Sequence, residues 1–275
     1  MTAIPAQRLI FSANVGRSGS GYLAKLLGSV PGVDAGHERL PAMVGAWARR
    51  VFANGLEESF EARRIKSCAI KAELSISESH TYVDTSHMFV KTFADVVAHD
   101  FPAEAITVVS LRRNVIDLVG SFFELDEFGP IRGPWHDFLQ LPTSPSSRFR
   151  LDLDEVESQF DLIFGYLVDQ HIRVEELRGS AAPWTWVDAQ LEVITTIDGA
   201  QELLSTLGLV APDDLQSIVE GRVNEKRSEK QLMQLATSED LVRQRLEGFL
   251  DRFWGRPGVA DFAYSQKLVR WGRES

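Results

Sequence analysis

The chain has 275 residues, of which 44% are apolar and 25% charged, and its formal net charge is −10. This length and composition are those of an ordinary globular protein with enough chain for one sizeable core. The negative charge argues against a nucleic-acid partner, which would require a basic face. Cys68 is the single cysteine, which excludes a disulfide framework and a cysteine-based metal site and favours a reducing compartment.

The sequence shows no pattern of a targeting signal and no boundary between domains. Residues 1–7 do not combine a basic stretch with an apolar one, and no apolar run reaches the about 18 residues of a membrane span. We therefore expect a cytoplasmic protein with no membrane partner. No repeat or convincing linker divides residues 1–275, so we expect a single domain, and its oligomeric state stays open.

A glycine- and serine-rich turn near the N-terminus is the most informative stretch. An apolar run at residues 9–11 predicts a buried strand, and an amphipathic helix follows the turn at residues 16–21. Such a turn and the helix end behind it can hold an anion on backbone N–H groups. Arg17 adds a permanent cation to this turn. The turn is not a Walker A loop, because Tyr22 stands where that motif requires lysine, nor does it fit a dinucleotide fingerprint.

Polar residues follow two further predicted strands. Residues 33–37 predict a strand that leads into Glu38, and the strand beginning at Tyr82 ends in a polar tip that contains His87. Ligands of open α/β sheets lie outside the carboxyl ends of the strands. Because consecutive strand residues point in opposite directions, only one of His37 and Glu38 should face a pocket. The alternatives are a solvated Glu38–Arg39 pair and a purely structural His87.

The clearest strand, residues 105–111, delivers Arg113 to the start of another helix. That helix is apolar except for one narrow stripe, which consists of Asn114, Asp117 and Ser121. Buried polar groups need partners. A phosphate held by Arg113 and Ser121 would satisfy the stripe, and so would an internal hydrogen-bonded network.

The remaining chain predicts supporting elements. These are an amphipathic helix at residues 154–176, a strand at 184–187, a helix from Thr196 that Gly208 terminates, and a closing helix at 241–254. Residues 126–150 are punctuated by Gly, Pro and Ser around Trp135 and His136, and we expect them to form a loop at the acceptor side of the pocket. The fold class is α/β of the P-loop type, with a central parallel sheet flanked by helices.

Two motifs carry a resemblance to a known family. The sulfotransferases that use 3′-phosphoadenosine 5′-phosphosulfate (PAPS) have a loop written [K/R]-[ST]-G-T-T-[WL], and residues 17–20 match it, with Gly21 in place of the second Thr. They also have a motif R-[DN]-P-x-D-x-x-x-S, which residues 113–121 match except that Val115 replaces the proline. The chain therefore resembles PAPS-dependent sulfotransferases, of the bacterial type.

The resemblance implies where a donor would bind. PAPS would be the co-substrate and 3′,5′-ADP (PAP) the product, and no metal is required. It assigns the 5′-phosphosulfate to Arg17, Ser18, Gly19, Ser20, Gly21 and Tyr22, and the 3′-phosphate to Arg113 and Ser121. Family members close over the 3′-phosphate with a late basic loop, for which Asn224, Lys226 and Arg227 could stand in; a solvated charge run is the alternative.

The resemblance also implies the chemistry. Bacterial-type members carry a glutamate about twenty positions after the loop as the base, which corresponds to Glu38. This carboxyl would need its pKa raised by burial to work well as a base near neutral pH. Animal cytosolic members use a histidine, for which His87 is the nearest analogue. Arg17 would stabilise the leaving phosphate. The acceptor would be a hydroxyl or amine of a small molecule or glycan.

Two other functions compete with sulfotransfer. One is a P-loop nucleotide kinase, although the Lys-Ser/Thr pair that such a loop needs is missing. The other is a non-catalytic binding protein on a sulfotransferase scaffold.

Overall fold

The computed structural model describes residues 8–129, 136–180, 183–221 and 238–267. Within these ranges five strands form one sheet with the order β2-β3-β1-β4-β5, and every neighbouring pair is parallel. The strands are β1 Arg8–Ala13, β2 Val33–Gly36, β3 Thr81–Asp84, β4 Ile106–Arg112 and β5 Thr185–Gln190. The predicted P-loop type α/β fold with a central parallel sheet is confirmed.

Helices cover both faces of this sheet. Their bounds are α1 Ser20–Gly28, α2 Ala46–Asn54, α3 Phe60–Arg63, α4 Ile65–Ile76, α5 Ala94–Asp100, α6 Val115–Glu124, α7 Gln159–Arg178, α8 Leu191–Ile194, α9 Ile197–Thr206, α10 Leu215–Glu220, α11 Glu239–Phe253 and α12 Val259–Ser265. None of the helices in the described ranges has the length and apolarity needed to cross a membrane.

The apolar core is divided by the sheet. β1 and β4 are buried along almost their whole length, as central strands covered on both faces should be. One apolar cluster packs α2, α5 and the segment before α5 against one face, and a second packs α1, α9 and α10 against the other. A third cluster joins α6, α7, α11 and α12 beside the sheet.

One predicted helix differs in its bounds, and another helix begins with an unusual turn. The helix predicted from residue 154 begins at Gln159, because Ser158 and Asp161 form a capping box, and a short 3-10 turn at Leu153–Glu155 precedes it. A π-helical turn, Phe89–Phe93, directly precedes α5. Such π-helical segments are rare and often lie at functional sites.

Candidate active site

The loop that follows β1 leads directly into the N-terminus of α1. The N-terminus of α1 has no side-chain cap and no acidic residue in its first turn. The first N–H groups of a helix have no intrahelical acceptor, so they can bind an anion. Gly19 has φ of 88°, and a Cβ there would lie 2.4 Å from the Leu191 side chain. Only glycine therefore fits this turn.

A cavity of about 590 Å³ opens at this loop, at the carboxyl ends of β1 to β4. The strand order brings together residues that are distant in the sequence, because the segments that follow parallel strands meet at one edge of the sheet. The predicted site residues that line the cavity are Arg17, Gly19, Ser20, Gly21, Tyr22, Glu38, His87 and Arg113.

Two predicted site residues lie elsewhere. The buried Ser18 hydroxyl has no hydrogen-bond partner among the described residues and faces a separate cavity of about 70 Å³. Ser121 is buried behind Arg17, and its Oγ accepts a hydrogen bond of 3.0 Å from the Arg17 Nε. Contact between Ser121 and a phosphate would require Arg17 to release this hydroxyl. Asn224, Lys226 and Arg227 lie outside the described residues.

Part of the polar stripe of α6 has hydrogen-bond partners within the protein. Asn114 is the N-cap of α6, and its side chain accepts a hydrogen bond of 2.8 Å from the backbone N–H of Ile116. Asp117 is exposed to the cavity. Arg113 donates from Nη1 to the carbonyl of Arg17 at 2.9 Å, which ties the end of β4 to the loop between β1 and α1.

The turn that carries Glu38 is fixed by partly buried ion pairs of the next residue, Arg39. Glu38 has φ of 53°, a strained conformation for a residue other than glycine. The guanidinium of the next residue, Arg39, pairs with Asp34 at 3.0 Å and with Glu73 at 2.6 Å. The alternative of a solvated Glu38–Arg39 pair is thus wrong, because Arg39 turns back toward β2 and α4.

His37 and Glu38 both line the cavity, so the expectation that only one would face it is wrong. β2 ends at Gly36, and strand alternation no longer applies to the two residues that follow. The His37 Nδ1 lies 2.7 Å from the carbonyl of Thr85, and the Thr85 hydroxyl donates to the carbonyl of Ser20 at 2.8 Å. These contacts join the tip of β3 to both neighbouring segments.

A line of hydrogen bonds leads from Glu38 into the core. The His87 Nε2 lies 3.2 Å from the Glu38 Oε1, and the Lys91 Nζ lies 2.9 Å from the His87 Nδ1. Lys91 also donates to the carbonyl of Phe138 at 2.8 Å and to the Tyr166 hydroxyl at 3.3 Å. Because a lysine ammonium can only donate, the His87 Nδ1 accepts and its Nε2 carries the hydrogen that Glu38 receives.

The charges along this line are unusual. Burial, followed by the neighbouring Lys91 cation, lowers the pKa of His87 to about 4, so the imidazole is neutral at pH 7. Burial lowers the pKa of Lys91 to about 7. The hydrogen bond from His87 lowers the pKa of Glu38 and outweighs the opposing effect of burial. The raised pKa that an efficient base would need near neutral pH is therefore not found for Glu38, and this carboxylate is ionised at neutral pH.

A second carboxyl lines the cavity on the side of Arg17. Glu127 follows α6, its side chain is only 2% exposed, and its Oε1 lies 3.8 Å from the Arg17 Nε. That oxygen has no hydrogen-bond partner among the described residues. Burial raises the pKa of Glu127 to about 7, although the Arg17 cation opposes the rise.

The sequence reasoning did not single out Lys91 or Glu127. Lys91 is the single charged residue of an aromatic-rich apolar segment, residues 88–93, whereas Glu127 stands beside other acidic residues in the segment 122–128. A single charge in an apolar segment is seldom buried unless it is paired, and this signal could have marked Lys91; the sequence around Glu127 carries no such signal.

The loop predicted at residues 126–150 contributes to the same region. Phe138 and Leu139 line the 590 Å³ cavity. His136 lines an adjacent cavity of about 300 Å³, which shares Glu127 and Leu139 with the first. Trp135 lies outside the described residues, so the prediction that Trp135 or His136 approaches an acceptor stays a prediction.

Comparison with known proteins defines the fold class. No protein-family model matches the chain, and no curated protein does. Among solved structures, the sulfotransferase domain of the Synechococcus PCC 7002 olefin synthase is similar at a TM-score of 0.53 with 15% identity, over 98% of this chain and 96% of that domain. Sulfotransferase STF9 from Mycobacterium avium is similar at a TM-score of 0.52 with 10% identity, over 91% of this chain and 78% of that one.

At these identities the likeness establishes the fold. The chain has the α/β fold of the sulfotransferases, and the predicted resemblance is confirmed at that level. The cavity described above lies at the carboxyl ends of the strands of this fold.

Proposed function

We propose that this protein is a sulfotransferase that moves a sulfuryl group from PAPS to a hydroxyl or amine of a small-molecule or glycan acceptor. The observation that carries the proposal is the convergence of an uncapped helix N-terminus, Arg17 and Arg113 on one cavity. When bound, PAPS supplies the sulfuryl group and a phosphate leaving group.

The residues of the cavity fit a doubly phosphorylated nucleotide. The free N–H groups at the start of α1 and the Arg17 guanidinium would hold the 5′-phosphosulfate and stabilise the charge on the leaving phosphate. Arg113, at the start of α6, would hold the 3′-phosphate. The helix dipole and two fixed cations favour the same sign of ligand charge.

Glu38 is the proposed acceptor of the proton that leaves the nucleophile. It is ionised and faces the cavity, and the hydrogen bond from the neutral His87 fixes its orientation. A lowered pKa makes this carboxylate a weaker base than one near 7, so positioning must supply part of its effect. His87 would then orient Glu38 and contact the acceptor without itself taking the proton.

The test is a calorimetric titration of the protein with 3′,5′-ADP, 5′-AMP and ATP. We expect 3′,5′-ADP to bind more tightly than 5′-AMP by about 1.5–3 kcal/mol, the cost of losing a charge-assisted phosphate contact. ATP binding that depends on Mg²⁺ and exceeds the affinity for 3′,5′-ADP would instead favour a kinase.

A further inference from the structure

Glu127 combines burial, the absence of a hydrogen-bond partner and access to a cavity. The Oε1 atom has no partner within the described ranges, yet the residue lines both the 590 Å³ cavity and the adjacent one. A buried carboxyl oxygen without a partner costs stability comparable to a lost hydrogen bond. Such a carboxyl at a cavity wall can lower this cost by forming a hydrogen bond with a ligand or by taking up a proton.

Arg17 is the cation within ion-pair distance of Glu127. Its Nε donates to Ser121, and it approaches Glu127 only to 3.8 Å, so the two form an ion pair without a hydrogen bond. The same guanidinium lines the cavity beside the free N-terminus of α1. An anion at this helix end would therefore share Arg17 with Glu127, and two negative charges would compete for one cation.

Other charged and titratable groups surround Glu127. Lys91, from the π-helical turn, and Tyr166, from α7, interact with it electrostatically. The titratable side chains that line the two cavities with it are Arg17, Tyr22, His37, Glu38, His87, Arg113, Asp117, His136, Glu157 and Glu192. Lys91 also has a pKa of about 7, so a test must separate it from Glu127.

We propose that Glu127 is the proton-linked part of the anion site: it takes up a proton when a nucleotide phosphate binds at Arg17, and its neutral carboxyl then donates a hydrogen bond to the bound anion. This inference rests on the proposed function only in the identity of the anion. It adds a ligand-binding residue that neither sequence motif contains.

The direction of the pH dependence follows from linkage. The Glu127 carboxyl has a pKa of about 7 without ligand, and a bound anion raises that pKa further because it adds negative charge and occupies Arg17. The complex therefore binds more protons than the free protein between the two pKa values. Nucleotide affinity is full below pH 7 and falls as the pH rises through this window, by at most about tenfold per pH unit for one proton.

The experiment is calorimetric titration of the full chain with 3′,5′-ADP at pH 7.5 in two buffers with different ionisation enthalpies. The nucleotide's own phosphates titrate near pH 6, below this range. We expect the wild-type protein to take up about half a proton or more on binding. Glu127→Gln keeps the shape and an N–H donor without a titrating proton, so its uptake should be near zero and its affinity about tenfold above wild type at pH 8.5.

Two variants separate Glu127 from its neighbours. Glu192→Gln removes an exposed carboxylate from the same cavity and should leave the proton uptake unchanged. Lys91→Met should also retain uptake, because Glu127 still titrates. Uptake that persists in Glu127→Gln, or that disappears in Lys91→Met instead, overturns the inference and leaves the proposed function standing. Wild-type protein that binds no 3′,5′-ADP overturns both.

Discussion

One glutamate lies on each side of the cavity, and the surroundings of the two carboxyls shift their pKa values in opposite directions. Glu38 receives a hydrogen bond from the neutral His87, which lowers the pKa of the carboxyl. Glu127 lies beside Arg17 but without a hydrogen bond, and burial raises its pKa to about 7. Burial opposes ionisation of both carboxyls, so the hydrogen-bond donor decides the outcome. Environments that push two carboxyls apart in this way are typical of sites that assign them different roles.

The largest expected effect concerns the Glu38 side. If Glu38 takes the acceptor proton, Glu38→Gln should lower turnover by about 10²–10⁴-fold and leave nucleotide affinity almost unchanged, because the amide keeps the shape but cannot accept the proton. The measurement is the kcat with PAPS and an acceptor found by screening hydroxyl and amine compounds. His87→Ala is the companion variant and should mainly raise the KM for the acceptor. A severe loss of kcat in His87→Ala alone would transfer the role of base to the histidine.

A smaller effect concerns stability on the Glu127 side. The pKa of this carboxyl is higher in the folded state, about 7, than in the unfolded chain, so the folded protein binds more protons between the two values. Its contribution to the free energy of unfolding is present below pH 4.5 and declines through pH 7, by about 3 kcal/mol in total. Urea unfolding of wild type and Glu127→Gln from pH 4.5 to 8 measures the difference, which should grow in favour of the variant as the pH rises.

Glu38 provides the matched control for this stability measurement. The pKa of its carboxyl is lowered on folding, so its contribution is present above pH 4.5 and is lost as the pH falls through the folded-state value. The difference between wild type and Glu38→Gln should therefore stay nearly constant from pH 4.5 to 8, and below pH 4.5 the wild type should lose its advantage as the pH falls. Parallel curves for the two variants would contradict the contrast between the two sides.

The smallest expected effect concerns the link between His87 and Lys91. The Lys91 cation, second to burial, lowers the pKa of His87. Lys91→Met removes that cation and should shift the His87 protonation equilibrium upward by about tenfold. Histidine NMR signals followed from pH 3 to 8 measure this directly. An unchanged His87 titration would show that burial alone sets its charge state.

The sequence predicted which strands and loops form the site better than it predicted the charge states of the site residues. The buried strands β1 and β4 carry continuous apolar runs, and their ends place Arg17 and Arg113 at one edge of the sheet as expected. Glu38 was found from its distance to the loop, whereas the direction of its pKa depends on a histidine 49 positions further along the chain. A pair such as Glu38 and His87 comes together only when the sheet is assembled, so no local sequence pattern predicts it.

The same limit applies to Lys91 and Glu127. Lys91 is the single charged residue of an apolar segment, whereas Glu127 directly follows Asp126. Periodicity alone would place either residue on the outside of a helix or in a loop. Tertiary packing instead buries Lys91 against His87 and Tyr166, and Glu127 against Arg17. The two sulfotransferase motifs contain residues of the anion-binding side, whereas Lys91 and Glu127 became apparent only in the structure.

The most direct test of a PAPS-type donor site is the ratio of the dissociation constants for 5′-AMP and 3′,5′-ADP in wild type and in Arg113→Ala. We expect a wild-type ratio of about 10–100 in favour of 3′,5′-ADP. In Arg113→Ala the ratio should fall toward one while the affinity for 5′-AMP stays near the wild-type value. A wild-type ratio near one, or an equal loss of affinity for both nucleotides in Arg113→Ala, would contradict the assignment of this cavity to a 3′-phosphorylated donor.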